Sequence, residues 1–416
     1  MGRPTVHIIG AGLAGLAAAV RLAGGPRDVV LHEAARHAGG RCRSYFDPAL
    51  GITIDNGNHL LLSGNTDARN YLAAIGAEDQ LTGPPEADFA FMDLATGERW
   101  RLRPNAGAFP WWIFSPNRRV PGTSPLDYLG LLRLLLPGKD APVGEVLSQS
   151  GVLYERLWRP FFLAALNTDP GEGSSKLASA VVRETLARGG RACRPLVARQ
   201  GLSAAFIDPA LDDLSKHGAK IHFEHRLRAI GFAMGRANAF HFGDNVLPLG
   251  PEDTVILAVP PQIAGSLVPG LKTPDSYRAI VNAHFSIAPP ADFPPLMGIV
   301  NGTIEWLFAF PDRLSVTISG ADRLLDVSRE DLAGRIWAEV AKVTQIEKPL
   351  PPWQIIKEKR ATFAATVAEN RRRPGIETAY ANLVLAGDWT ATGLPATIEG
   401  AIRSGHRAAG KIAAMR

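Results

Sequence analysis

Cysteine is almost missing from this chain of 416 residues: Cys42 and Cys193 are the only two. They have no metal-ligand spacing and no nearby partner. A disulfide framework and a cysteine-held metal centre are excluded, and both read as reduced thiols of a cytoplasmic protein. No metal is expected. Long apolar runs are also missing. None reaches the ~20 residues that span a bilayer, and the best stretch, Leu126 to Leu136, carries Asp127 and Arg133. Charge of one sign is not in strong excess, with 45 Lys and Arg against 40 Asp and Glu for a net +5. Acidic runs offset the basic ones, so no nucleic-acid partner is expected, whereas an anionic lipid surface stays open. The first strand is read as starting by Thr5, which leaves no signal peptide to remove. No internal repeat and no low-complexity linker is found. What remains is a globular composition, 46% apolar and 20% charged, of a length that suits two domains.

The first thirty-odd residues carry the strongest pattern. Val6 to Ile9 is an apolar run that suits a buried parallel strand. Gly10, Ala11, Gly12, Leu13, Ala14 and Gly15 form G-x-G-x-x-G, and an Ala/Leu-rich helix is predicted over Leu13 to Leu22 before Gly24, Gly25 and Pro26 break it. A second strand, Val29 to His32, ends at Glu33, with Ala34 just beyond. Gly10 permits the tight turn, Gly12 lets the backbone approach a pyrophosphate, and Gly15 lets helix and strand pack closely. The helix start offers N–H groups and a positive dipole end to the phosphates. Glu33 stands 33 − 12 = 21 residues after the middle glycine, where a carboxylate accepts ribose hydroxyls and repels a 2′-phosphate.

Two further segments point to FAD rather than NAD. Gly39, Gly40 and Arg41 suit a loop folding back over the same pyrophosphate, with the Arg41 guanidinium neutralising charge. At the far end, Leu383 to Ala386 reads as a buried strand, Gly387 and Asp388 end it, and Pro395 to Glu399 leads into a helix. Asp388 suits a ribityl hydroxyl. The helix start near Thr397 and Ile398 suits the flavin N1–C2=O edge, where negative charge gathers on reduction. Only one dinucleotide-binding unit is present, so no second nicotinamide site is read.

The GAGLAGL, GGR and LAGDW…ATIEGA…SG segments resemble the flavin amine oxidase and phytoene desaturase superfamily. The segments Asp55–Leu62, Leu157–Pro170 and Lys357–Phe363 narrow the likeness to the hydroxysqualene dehydroxylases, squalene-associated FAD-dependent desaturase-like proteins of bacterial hopanoid synthesis. The resemblance spans essentially the whole chain. It implies an α/β fold with a discontinuous Rossmann-type FAD-binding domain and an α+β substrate domain. The FAD-binding domain would comprise 1–70, 195–265 and 378–416, and the substrate domain 71–194 and 266–377. It places Gly57, Asn58 and His59 beside the flavin, and the backbone of Leu227 against the adenine. Strands are expected over Lys220 to Ile230, Asp253 to Pro261, Ala279 to Ile287, Thr303 to Phe310 and Arg313 to Ser319, and a helix over Arg329 to Val343.

The same resemblance implies FAD-dependent reductive removal of the hydroxyl of hydroxysqualene to give squalene. Such chemistry needs a dry tunnel, a proton donor for the leaving oxygen and electron density near the cation. His59 is the candidate donor, and a packing role beside the cofactor is the competing reading. Asp55 reads as a structural turn acid. Tyr154 and Trp158, spaced i, i+4, suit either a tunnel lining or the core. Polyisoprenoid desaturation, the same cofactor run in the opposite redox direction, stays open, as does a non-enzymatic lipid carrier. A flavin amine oxidase is disfavoured, because Asn282, Ala283 and His284 stand on the strand where those enzymes place a lysine. From Phe109 to Leu136, Trp111, Trp112, Ile113, Phe114 and the leucines Leu129, Leu131, Leu132, Leu134, Leu135 and Leu136 mix with Arg118, Arg119 and Arg133. That mixture suits a segment dipping into one leaflet, or buried core. A peripheral position on the inner face of the plasma membrane and association with other squalene-synthesis enzymes are implied partners.

Overall fold

The computed structural model describes residues 3–415. Its first layer is a five-stranded parallel sheet, in the order Lys220–His222, Asp28–His32, Thr5–Ile9, Thr254–Leu257 and Leu383–Leu385. The strands come from the start, the middle and the end of the chain. Thr5–Ile9, Thr254–Leu257 and Leu383–Leu385 are short and largely apolar because both faces are covered, whereas the edge strand Lys220–His222 is largely exposed. On one face lie the helices Leu13–Leu22 and Ile398–Ala413, packed so closely that a Cβ at Gly405 would stand 2.2 Å from the Ala14 carbonyl oxygen. The other face meets a three-stranded antiparallel sheet of Ala229–Ala233, Arg236–Phe242 and Asn245–Pro248, whose Phe240 sits edge-on to His7.

The second layer is a seven-stranded mixed sheet. Its order is Trp353–Phe363, Tyr277–Phe285, Arg313–Ile318, Trp306–Phe310, Leu296–Val300, Phe89–Asp93 and Arg99–Leu102. Strand periodicity sorts its side chains onto two faces. Val281, Ala283, Leu314, Val316, Ile318 and Leu307 pack against the helix Arg329–Thr344. Asn282, His284, Ser315, Thr317, Trp306 and Phe308 take the opposite face, whose Trp306 and Phe308 share a core with Ile9, Val255 and Leu257 of the parallel sheet. The fold is thus α/β, a Rossmann-type layer joined to an α+β layer.

Three sequence expectations need correction. Lys220 to Ile230 is not one strand. The chain leaves the parallel sheet after His222, turns at Glu224 with φ of 52°, and gives the Glu224 and His225 amides to the Ala35 and Glu33 carbonyls. Only at Ala229 does it enter the antiparallel sheet. The strand expected from Thr303 begins at Trp306, because Glu339 on the facing helix takes the Thr303 and Ile304 amides at 2.8 and 2.9 Å. Tyr154 and Trp158 lie in a π-helical turn, where the i, i+4 pair loses its vertical stacking. Both are buried, and Trp158 meets Tyr128 edge-on at 6.1 Å.

Candidate functional site

The glycine loop has the shape its residues demand. Gly10 turns with φ of 103°, and a Cβ there would lie 2.5 Å from the Ala258 carbonyl. A Cβ on Gly15 would lie 1.9 Å from the Gly10 carbonyl. On Gly12 it would meet nothing within 4 Å. The open glycine is the middle one, the position that must admit a pyrophosphate, and no side chain caps the helix start behind it. The Gly39–Gly40 loop crosses directly above: the Gly39 amide donates to the Ala11 carbonyl at 2.8 Å, and a Cβ placed on Gly40 would lie 3.6 Å from the Gly12 Cα.

Glu33 does more than its sequence position announced. Its Oε2 accepts the Ala11 N–H at 2.7 Å and its Oε1 the Ala35 N–H at 2.8 Å. The carboxylate therefore ties the glycine loop to the chain just beyond Ala34. Leu227 is buried close by, after the Glu224 turn.

Arg41 bridges the two ends of the chain. It donates to Asp388 Oδ2 at 2.6 Å and to the Ala361 carbonyl. Its charge is paired with the Asp388 carboxylate, and the side chain stays half exposed. The loop of Asp388 is held from behind by Arg373, which sequence reasoning missed. Arg373 is buried and donates to the carbonyls of Asp388, at 3.1 Å, and Thr390, and to Thr392 Oγ1 at 2.9 Å. Gly387 has φ of 146°, and a Cβ there would stand 2.4 Å from the Trp389 indole nitrogen. Thr397 caps the last helix by accepting the Gly400 N–H at 3.0 Å, and the helix begins at Ile398. Both helix starts, Gly12 and Thr397, thus head parallel-sheet strands at their carboxyl ends, the usual place for a dinucleotide.

Gly57, Asn58 and His59 face the seven-stranded sheet. A Cβ on Gly57 would lie 2.9 Å from the Asn282 amide nitrogen. Asn58 Nδ2 donates to Thr317 Oγ1 at 3.2 Å, and Thr317 in turn donates to Asn282 Oδ1 at 2.8 Å. Asn58 Oδ1 is buried with no partner, an acceptor left open for a bound group. Burial, assisted by the Arg41 guanidinium, pushes His59 down to about 4, so its imidazole is neutral at pH 7. Asp55 accepts from the Leu202 amide at 2.8 Å and from Ser44 at 2.6 Å, which makes it a structural acid.

Asn282 stands where an amine oxidase would need its lysine. On the next strand Lys357 pairs with Val281, on the other face, and donates to the carbonyls of Leu325 and Val327. The face around Asn282 is aromatic. Phe91 stacks on Trp100 at 5.5 Å and meets Trp306 edge-on at 5.7 Å, and Phe308 and Phe310 continue the surface.

The Phe109–Leu136 segment divides its apolar residues. Trp112, Ile113, Tyr128 and Leu134 are buried and anchor it. Phe109, Trp111, Phe114, Leu126, Leu129, Leu132 and Leu136 are exposed, seven of the fifteen large apolar side chains so placed among the described residues. Phe109 and Trp111 lie 4.4 Å apart and Trp111 and Phe114 6.1 Å, so the aromatics form one patch. Among the described residues, no helix is long and apolar enough to cross a membrane. A group of side chains able to hold a metal ion is likewise not found among them.

The model of the flavin containing amine oxidoreductase family matches residues 13–413. The chain is 58% identical over 406 residues to a hydroxysqualene dehydroxylase of Rhodopseudomonas palustris, covering 97% of each chain. It is 54% identical over 404 residues to a hydroxysqualene dehydroxylase of Sinorhizobium fredii, again covering 97% of each. Among solved structures, a putative protoporphyrinogen oxidase from Exiguobacterium sp. 255-15 superposes with a TM-score of 0.71 at 18% identity, covering 99% of both chains, which shows a shared fold. The open Gly12 with its uncapped helix start, and Glu33 beneath it, fit FAD, the cofactor of such enzymes. The chain is an FAD-dependent oxidoreductase that belongs to the flavin containing amine oxidoreductase family and, within it, to the group of the hydroxysqualene dehydroxylases.

Proposed function

We propose that this enzyme removes the hydroxyl of hydroxysqualene reductively to give squalene, as a step of hopanoid biosynthesis. The observation that carries the reading is identity above half, over nearly the full length, to relatives bearing that activity in their name. The site agrees with it. Asn282 in place of a lysine argues against amine oxidation, and the aromatic face of Phe91, Trp306 and Phe308 suits a long polyene and a transient allylic cation. The same reading assigns residues 1–70, 195–265 and 378–416 to FAD and 71–194 and 266–377 to substrate.

Reduced FAD, when bound, supplies the hydride. The protein's residues do the rest. The Gly10–Gly15 loop, Glu33, Ala34, Gly40, Arg41, Leu227, Gly387, Asp388, Thr397 and Ile398 hold the dinucleotide. Gly57 admits the ring beside Asn282, and Asn58 orients it through its bond to Thr317. The aromatic face excludes water, which would otherwise trap the cation. His59, neutral at pH 7, offers a ring N–H to the substrate oxygen and orients it.

The exposed patch at Phe109–Leu136 is the entry for substrate from a leaflet. Arg133 and Lys139 beside it attract anionic lipid, each contributing about 1 kcal/mol near such a surface. On this reading the enzyme sits peripherally on the inner face of the plasma membrane, near the enzyme that makes its substrate.

The test is anaerobic incubation of dithionite-reduced holoenzyme with hydroxysqualene, followed by mass analysis. Squalene appearing as the flavin reoxidises supports dehydroxylation. A dehydrogenated product formed by the oxidised enzyme would assign it to the desaturases instead. A His59→Ala variant that keeps its flavin and its full turnover would remove His59 from the site.

A further inference from the structure

We propose that Glu305 is the acid that protonates the departing hydroxyl, an assignment that rests on the dehydroxylation reading above. Glu305 immediately precedes the strand Trp306–Phe310. Trp306 pairs with Thr317, and Thr317 pairs with Asn282 beside the flavin position. Two strand spacings therefore separate Trp306 from Asn282, about 10 Å. The Glu305 carboxyl is bonded to Ser319, two residues along the same chain from Thr317, which bonds Asn58 and Asn282 beside the flavin position.

The surroundings of the carboxyl are those of a group kept for chemistry. Glu305 is deeply enclosed by protein yet not fully closed off. Its Oε2 accepts the buried Ser319 N–H at 2.7 Å, which fixes the side chain over the end of the strand Arg313–Ile318. No cation forms an ion pair with it among the described residues. Arg323, on the turn after Ser319, donates to the Gly320 carbonyl, and Arg159, on the helix above, pairs with Asp169 at 3.8 Å. These two arginines and Ser319 are the charged and polar groups that face it. Burial outweighs them and pushes the carboxyl up to about 7, so at neutral pH much of it carries a proton. A buried carboxyl held by Ser319 with no counter-ion is costly to fold, and such groups concentrate where reactions occur. His59, by contrast, is held deprotonated at this pH and has no easily released proton.

The step balances as follows. The Glu305 O–H gives its proton to the allylic oxygen. The C–O bond breaks with its electron pair leaving on water, and the carbon accepts a hydride from the reduced flavin, which is thereby oxidised. Glu305 is left as carboxylate and regains a proton from solvent, while an external reductant restores the flavin.

The test uses reduced holoenzyme and hydroxysqualene in anaerobic single turnovers, followed by flavin absorbance and product mass. The wild-type rate should fall as pH rises through about 7. Glu305→Gln keeps the Ser319 bond, should keep its FAD, and should lose about 100-fold or more in rate together with that pH limb. Glu305→Asp should be slow yet keep the limb. Wild-type rate and limb in Glu305→Gln, with squalene still formed by the wild type, would overturn the acid assignment and leave the dehydroxylation reading standing. No squalene from the wild type would overturn both. Should Glu305→Gln not retain flavin, infrared titration of ¹³C-glutamate-labelled wild type decides: a protonated carboxyl band vanishing near pH 7 upholds the proposal, and its absence defeats it.

Discussion

Arg41 and Asp388 lie 347 residues apart in the chain and share an ion pair of 2.6 Å. Asp388 is nearly buried, whereas Arg41 is half exposed. The pair ties the loop above the glycine turn to the loop that begins the last helix. Arg41→Ala and Asp388→Ala should each weaken FAD binding by about tenfold, which is ~1.4 kcal/mol. The double variant should lose clearly less than the sum, because the two residues are in contact. Flavin titration of the apoprotein measures this. Strictly additive losses would mean that the two residues act separately.

Gly12 and Gly15 should fail in different ways. A methyl at Gly15 falls 1.9 Å from the Gly10 carbonyl, so Gly15→Ala should destabilise the apoprotein by about 3 kcal/mol through forced backbone movement. A methyl at Gly12 meets no protein atom within 4 Å. Gly12→Ala should therefore melt like the wild type without FAD and yet bind FAD at least tenfold more weakly, since the methyl enters the pyrophosphate's place. Equal melting losses for the two variants would contradict this division.

The exposed patch should govern membrane binding without governing the fold. Trp111 is 66% and Leu132 56% exposed, so replacing both by serine removes little packing. Each contributes on the order of 1–2 kcal/mol when inserted in lipid. Trp111→Ser with Leu132→Ser should lower sedimentation with anionic vesicles by at least tenfold at an unchanged melting temperature. Undiminished vesicle binding would place the lipid contact elsewhere.

Acid should destabilise the protein through its buried histidines. Burial, with the neighbouring His7, His225 and His222, pushes His32 down to about 3, and burial beside Arg313 does the same to His284. In the unfolded chain both would take a proton near 6.5. Their folded values are depressed, so their stabilising contribution is complete above 6.5 and is lost as pH falls toward 3. Between pH 6.5 and 5 each should remove about 1–2 kcal/mol. Thermal melts of the holoenzyme at pH 7.5 and pH 5 measure it, and His32→Gln should flatten the dependence. A melting temperature constant over this range would refute the argument.

Local rules made much of the fold and site readable in advance. Gly10, Gly12, Gly15 and Glu33 act over short spacings, where turn sterics and strand length leave few alternatives. The helix start near Thr397 was legible for the same reason: a short strand closed by Gly387 and Asp388, then Pro395 leading into an Ala/Gly-rich run, is a local signal. Where the reading slipped, a distant partner had intervened. Thr303 and Ile304 left their strand because Glu339 took their amides. Lys220 to Ile230 split because the Glu33 and Ala35 carbonyls drew the chain aside.

By itself the sequence determined the dinucleotide turn, the acidic residue below it and the absence of a lysine from the Tyr277–Phe285 strand. Each depends on residue type at a short spacing. Tertiary structure alone decided that Arg41 meets Asp388, that Arg373 braces the last loop, and that seven apolar side chains of Phe109–Leu136 face outward. It also decided that Glu305 is enclosed beside Ser319. Burial and pairing between remote segments depend on what the rest of the chain brings up against them, and no local pattern encodes that.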